Sequence, residues 1–473
     1  MRRALLLALV VANAGCGDVI GIDDMDYVPR EEPGDVVALA ALNCSSCAVR
    51  EDGTVWCWGA NDFGQLGKTG VANFGVPVQV EVPEPVDAVA VGTLHACAYP
   101  RGGDHVWCWG GDAAGQASKT WDPPTKPEDL DTLLLRTAGP KRIDLPAQEQ
   151  VERVAAGFLH TCVLTVKKNV YCWGANHAGQ CGAGLPDGLF TTVPKAGKCG
   201  WDLQSVAGAV ITIQYQDDVI KMEPHLAATD VDEVVVQRHT TCVNKSGAVR
   251  CWGGNCGSTG EDWEYFLGND CSDGGQLGKA PDTACYSDEA TKPLTDPVTP
   301  KALSLGHLSG FVAVTGSKVG VLSWGWDDGQ LGHGPPTGKF SPPAEVMRSE
   351  TDSLPPVTAV ALTNGWHQLA RASSGAWYSW GRDDCGELGQ GPAHVGANAD
   401  FAAKASRIPQ SAKGVVSGQD HTCFLRNGRV YCMGHGLYVG QPTNEGESNL
   451  CAAEGCSEGN AAPRPEPAEV LFE

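Results

Sequence analysis

Five pairs of cysteines stand nine to eleven residues apart: Cys47/Cys57, Cys97/Cys108, Cys162/Cys172, Cys242/Cys251 and Cys423/Cys432. Paired thiols can hold zinc or close a disulfide, and the spacing separates the two. A structural zinc takes cysteines about two to four residues apart, converging from two knuckles. Only Cys44 and Cys47 offer such a pair. Between Cys423 and Cys432 lies Asn427-Gly428, the dipeptide of a two-residue hairpin turn. Arg426 then faces Arg429, and Cys423 faces Cys432 on a non-hydrogen-bonded pair. Its Cα separation of about 4.5 Å suits a disulfide. Ser246-Gly247 places Cys242 opposite Cys251 by the same count, and slightly longer turns serve the other three pairs. Where Ser323 and Ser379 replace the second cysteine, the first is also lost, to Phe311 and Leu369. Partners that disappear together behave as covalent pairs do. No metal is expected. Outside these pairs and Cys16, nine cysteines remain, for which Cys181/Cys199 and Cys451/Cys456 are the plausible bonds.

Histidine offers acid–base chemistry, but His95, His160, His367 and His421 share one position, two residues before the first cysteine or its replacement. A catalytic site needs one asymmetric constellation, whereas a recurring residue serves the scaffold by bonding a neighbouring strand or loop. Trp58, Trp109, Trp173, Trp252, Trp324 and Trp380 also recur, and read as packing rather than a ligand cage. The acid pairs Asp327-Asp328 and Asp383-Asp384 follow Trp-Gly and read as turn-forming, solvated acids. Gly-x-Ser-x-Gly, His-Glu-x-x-His and P-loop motifs are missing from the sequence. Neither a catalytic residue nor a cofactor is expected.

The elements that carry these residues are repeats. Val55-Trp56-Cys57-Trp58-Gly59 returns around positions 108, 172, 251, 323, 379 and 432, making seven copies. A second short strand precedes each copy, usually across a glycine turn, and a loop with Gly-Gln-Leu-Gly follows, as at Gly64–Gly67, Gly275–Gly278 and Gly329–Gly332. A Pro/Val-rich strand then completes a unit of about fifty residues, the size of a propeller blade. One blade cannot bury both faces, but seven packed radially can. The fold expected is all-β, a seven-bladed β-propeller with disulfide-stapled blades over 35–473, after a signal peptide at 1–15 and a flexible linker at 16–34.

The Gly-x-x-His-x-Cys, Val-x-Cys-Trp-Gly and Gly-Gln-Leu-Gly elements resemble the regulator of chromosome condensation repeat family. That resemblance implies a seven-bladed propeller, which the repeat count matches independently. It also implies one functional candidate, exchange of guanine nucleotide on a small GTPase.

The N-terminus argues for a different compartment. Arg2 and Arg3, the apolar run 4–12 and Ala14-Gly15-Cys16 make a secretory signal. Its ending resembles a bacterial lipobox, which implies acylation of Cys16. Asn13 stands where that box has leucine, so plain secretion after ordinary cleavage is the alternative. Twenty cysteines also suit an oxidising compartment. The expected location is the outer membrane or cell surface as a lipoprotein, or otherwise the periplasm or exterior. The net charge of −22 repels phosphate backbones and anionic headgroups. Nucleic acid is excluded as a partner, and the membrane is expected only through a lipid anchor.

Extra residues follow the Trp-Gly strand in repeats two, three and four, within 117–150, 181–231 and 255–300, and loops on a rigid scaffold are where binding resides. The fourth repeat puts Trp263, Tyr265 and Phe266 beside Glu261, Asp262 and Glu264, flanked by Cys256 and Cys271. Aromatics of this kind dominate binding hot spots. The function expected is a protein-binding platform for an unknown protein partner. Inhibition of a secreted or periplasmic enzyme, or an exported propeller enzyme with acids or a histidine at the central channel, are further alternatives.

Overall fold

A computed structural model describes residues 34–68, 74–119, 137–176, 178–182, 220–255, 277–278, 286–294, 298–306, 308–316, 320–361, 366–396, 398–436, 438–441 and 463–472. Strands β1–β28 form seven four-stranded antiparallel sheets, each made of four consecutive strands. These are blades 1 to 7 of a seven-bladed propeller. Blade 1 sets the pattern with β1 (Val36–Leu42), β2 (Ser45–Arg50), β3 (Val55–Gly59) and β4 (Phe74–Val80).

The hairpin register is the one the turns dictate. Cys47 faces Cys57, Cys97 faces Cys108, Cys162 faces Cys172, Cys242 faces Cys251 and Cys423 faces Cys432. All five pairs are disulfides with Cα atoms 4.1 Å apart. Asn427 and Gly428, with φ of 52° and 75°, make the mirror-image turn that matches strand twist. Cys44 and Cys385 are also disulfide-bonded, with partners outside the described residues. Cys44 and Cys47 are therefore no zinc knuckle. The expected Cys181/Cys199 bond is not made. Cys181 is a buried free thiol whose Sγ lies 3.2 Å from the Ala175 carbonyl oxygen as a donor, packed under Trp252 and Val231.

Blades 5 and 6 hold the same place without a disulfide. The Ser323 hydroxyl donates to the Leu331 carbonyl and the Ser379 hydroxyl to the Leu388 carbonyl, each at 2.7 Å. Each tie joins the third strand to the loop that follows it.

The glycine closing the Trp-Gly strand has positive φ in every blade, from 97° at Gly174 to 118° at Gly325. A Cβ at Gly59 would lie 2.2 Å from the Cys44 carbonyl oxygen, so the turn between the first two strands closes onto bare backbone.

Apolar cores lie between blades. Val49, Val55, Leu66 and Val80 of blade 1 pack on Val89, Ala96, Ala98 and Trp109 of blade 2. The outer strands are the sheet edges, and most carry proline, which cannot donate to an added strand: Pro77, Pro140, Pro224, Pro342 and Pro465. The outer strand of blade 6, β24 (Ala399–Lys404), has none. Blade 5 covers it instead, through Ala402 N–H to Met347 O at 2.8 Å and Gly334 N–H to Asp400 O at 3.1 Å.

Candidate binding faces

The strand register gives the propeller two unlike faces. On one, the hairpin face, the second and third strands of each blade are joined. On the other, the first and second strands are joined and the third strand ends, as Leu42, Ser45 and Gly59 show in blade 1. The residues that bracket the long insertions all leave this second face: Gly111 and Thr137, Ala175 and Ile220, Gly254 and Tyr286.

A cavity of about 830 Å³ is enclosed by the inner strands. Its wall is aliphatic, with Ala38, Ala40, Ala90, Ala155 and Val235, and its charged residues are Asp35, Glu51, Arg101, Arg153 and Lys413. No histidine lines it among the described residues.

The recurring histidines are spent in the seams between blades. His95 Nε2 meets Thr161 Oγ1 at 2.7 Å, His160 meets Thr241 at 3.0 Å, His367 meets Thr422 at 3.2 Å, and His421 meets Ser46 at 2.7 Å. Each partner is the residue between the histidine position and the cysteine position of the next blade. Thr161 in turn donates to the Gln116 carbonyl, and Thr241 to that of Gln180. The threonine proton is thus committed, and Nε2 is the donor. Burial pushes all four histidines down to about 3, so they are neutral. They tie neighbouring blades together.

The tryptophans bond the other way round the ring. Trp109 Nε1–H donates to Gln65 O at 2.9 Å, Trp173 to Gln116 O at 3.0 Å, Trp252 to Gln180 O at 3.1 Å and Trp380 to Gln330 O at 2.9 Å. Each carbonyl belongs to the Gly-Gln loop of the preceding blade, at the glutamine of Gly-Gln-Leu-Gly or of its counterparts Gly115–Ser118 and Gly179–Gly182. Histidine reaches forward and tryptophan backward, so the seams between blades 2 and 3 and between blades 3 and 4 are each tied twice.

The acid pairs differ from expectation. Asp328 is exposed, but Asp327 and Asp383 are buried. Asp383 Oδ1 accepts Leu388 N–H at 3.0 Å, as Asn61 accepts Leu66 N–H and Asn176 accepts Cys181 N–H in their own blades. Glu387 likewise takes the place of glutamine and accepts Cys385 N–H at 2.8 Å. Burial raises Asp383 to about 7 and Glu387 well above the carboxylate range, helped at Glu387 by Asp420 and Asp383. Protonated, the two acids stand in for the amides of the other blades. The repeat alignment carried this signal, because Asp383 and Glu387 occupy amide positions.

Blade 5 contains a serine–histidine contact, Ser323 Oγ to His333 Nε2 at 2.7 Å. Since the Ser323 proton goes to Leu331 O, the imidazole donates, and the serine is not an activated nucleophile. Trp263, Tyr265, Phe266, Glu261, Asp262, Glu264 and Cys16 lie outside the described residues.

Models of the regulator of chromosome condensation (RCC1) repeat match residues 36–65, 52–99 and 151–180. The chain carries RCC1 repeats at these residues. It is 25% identical over 424 residues to the ultraviolet-B receptor UVR8 of Arabidopsis thaliana, covering 88% of this chain and 79% of that one. It is also 28% identical over 172 residues to the secretion-regulating guanine nucleotide exchange factor of Mus musculus, covering 34% of this chain and 36% of that protein. Among solved structures, human WBSCR16 superposes with a TM-score of 0.60 at 19% identity, covering 83% of this chain and 87% of that one. That likeness shows the fold. The chain shares the propeller, and five of its blades carry a disulfide.

Proposed function

We propose that this RCC1-repeat protein is an exported platform, anchored through acylated Cys16, that binds a protein partner with the face carrying its insertions. The observation that carries the reading is directional: three long insertions leave one face of a scaffold whose blades are stapled and whose seams are tied. Rigid support lowers the entropy lost when loops engage a partner. Five disulfides suit an oxidising compartment, as does the signal-like N-terminus. Affinity capture from membrane fractions, with the partner identified by mass spectrometry, tests the reading. Trp263→Ala with Tyr265→Ala should abolish capture at nearly unchanged melting temperature. Capture that survives while the melting temperature falls would make the aromatic loop mere packing.

The likeness to a guanine nucleotide exchange factor favours a second reading, action on a small GTPase. Nucleotide release from purified GTPases in the presence of the protein tests it directly.

A further inference from the structure

Strand β1 begins on the hairpin face, where Val36 N–H donates to Gly428 O at 2.8 Å. Cations stand at the hairpin-face ends of strands in blades 6 and 7. Lys413 opens β25 (Lys413–Ser417) opposite Leu425, and Arg426 and Arg429 flank the Asn427-Gly428 turn. From blade 6, Arg371 reaches the Gln410 carbonyl at 3.1 Å, and Lys404 ends β24. Lys404, Lys413 and Arg426 are exposed, and make no ion pair among the described residues. The nearby acids are Asp35, which packs against Gly428, Glu51, whose backbone N–H donates to Asp35 O at 2.8 Å, and Glu469, which is held by Arg429 at 2.7 Å. A surplus of positive charge therefore sits on one corner of a chain with net charge −22. Charges more than about 10 Å away are largely screened at moderate salt, so this corner acts on its own.

We propose that Arg371, Lys404, Lys413 and Arg426 dock the propeller on anionic phospholipid headgroups, hairpin face down and insertions outward. Charge complementarity names the headgroups. The start of β1 on that face supplies the orientation, which rests on the proposed acylation of Cys16. Headgroup binding itself does not rest on it.

The test uses full-length Cys16→Ser protein with vesicles of neutral phosphatidylcholine, or with one third of that lipid replaced by phosphatidylglycerol. Cosedimentation with the anionic vesicles at low salt, lost at high salt, is expected. Lys413→Glu with Arg426→Glu should weaken it at least about tenfold, since each cation near an anionic surface gains about fivefold. Equal binding to neutral vesicles, no binding at low salt, indifference to the charge reversal, or full displacement by millimolar inorganic phosphate would each overturn the proposal. The mass of the wild-type N-terminus separates the two readings. An unmodified Cys16 removes the anchor and leaves the vesicle result standing.

Discussion

His421 in the last blade and Ser46 in the first are bonded side chain to side chain at 2.7 Å, across 375 residues of sequence. Among the described residues no strand is exchanged between the terminal blades, so closure of the ring depends on contacts of this kind. Trp58 Nε1–H donates to Tyr438 O at 3.0 Å, and Gln419 N–H donates to Asn43 O at 2.7 Å across the same seam.

His421→Ala should therefore loosen the closing seam. It removes a buried bond and leaves Ser46 unpaired, at a cost of roughly 1–3 kcal/mol. Thermal unfolding should show the loss, and hydrogen exchange should rise first in blades 1 and 7. An unchanged melting temperature would mean that the other closing bonds suffice.

Acid should unfold the protein with uptake of protons by the seam histidines. Their folded value of about 3 lies below the unfolded value of 6.5. For a base depressed by folding, stability is complete above pH 6.5 and drains away as pH falls toward 3. Urea titrations between these limits should show stability rising with pH. A flat profile would place the histidines in contact with water.

The blade 6 carboxylates act with the opposite sign. Folding raises Asp383 to about 7 and Glu387 well above its ordinary value, so the unfolded chain releases these protons first as pH rises. Their contribution is present below about pH 4 and is lost through pH 7 and above. Asp383→Asn with Glu387→Gln should raise the melting temperature at pH 8 and leave it nearly unchanged at pH 4. A drop at pH 8 would mean that the ionised acids are needed there.

Peptide mapping without reduction should recover the five hairpin disulfides. Alkylation should reach Cys181 only after denaturation, because burial raises its thiol and hides it. Removing one staple, as in Cys97→Ser with Cys108→Ser, should cost roughly 2–3 kcal/mol, since each closes a short loop. Rapid labelling of Cys181 in the native protein would contradict its placement.

Hairpin register was legible because a two-residue turn acts locally. Asn427-Gly428 fixes Arg426 opposite Arg429, and alternation then carries Cys423 to Cys432. The blade count was legible for the same reason, as each Trp-Gly glycine answers a steric demand that recurs in every copy. What joins one blade to the next has no such spacing. His95 finds Thr161 at 66 residues, Trp109 finds Gln65 at 44, and His421 finds Ser46 at 375. Radial packing sets these partners. The same packing buries Asp383, which a local reading took for a solvated turn acid, and frees Cys181 from its expected bond. It also sorts charge, since the composition gives −22 for the whole chain and only the closed ring brings Arg371, Lys404, Lys413 and Arg426 to one corner.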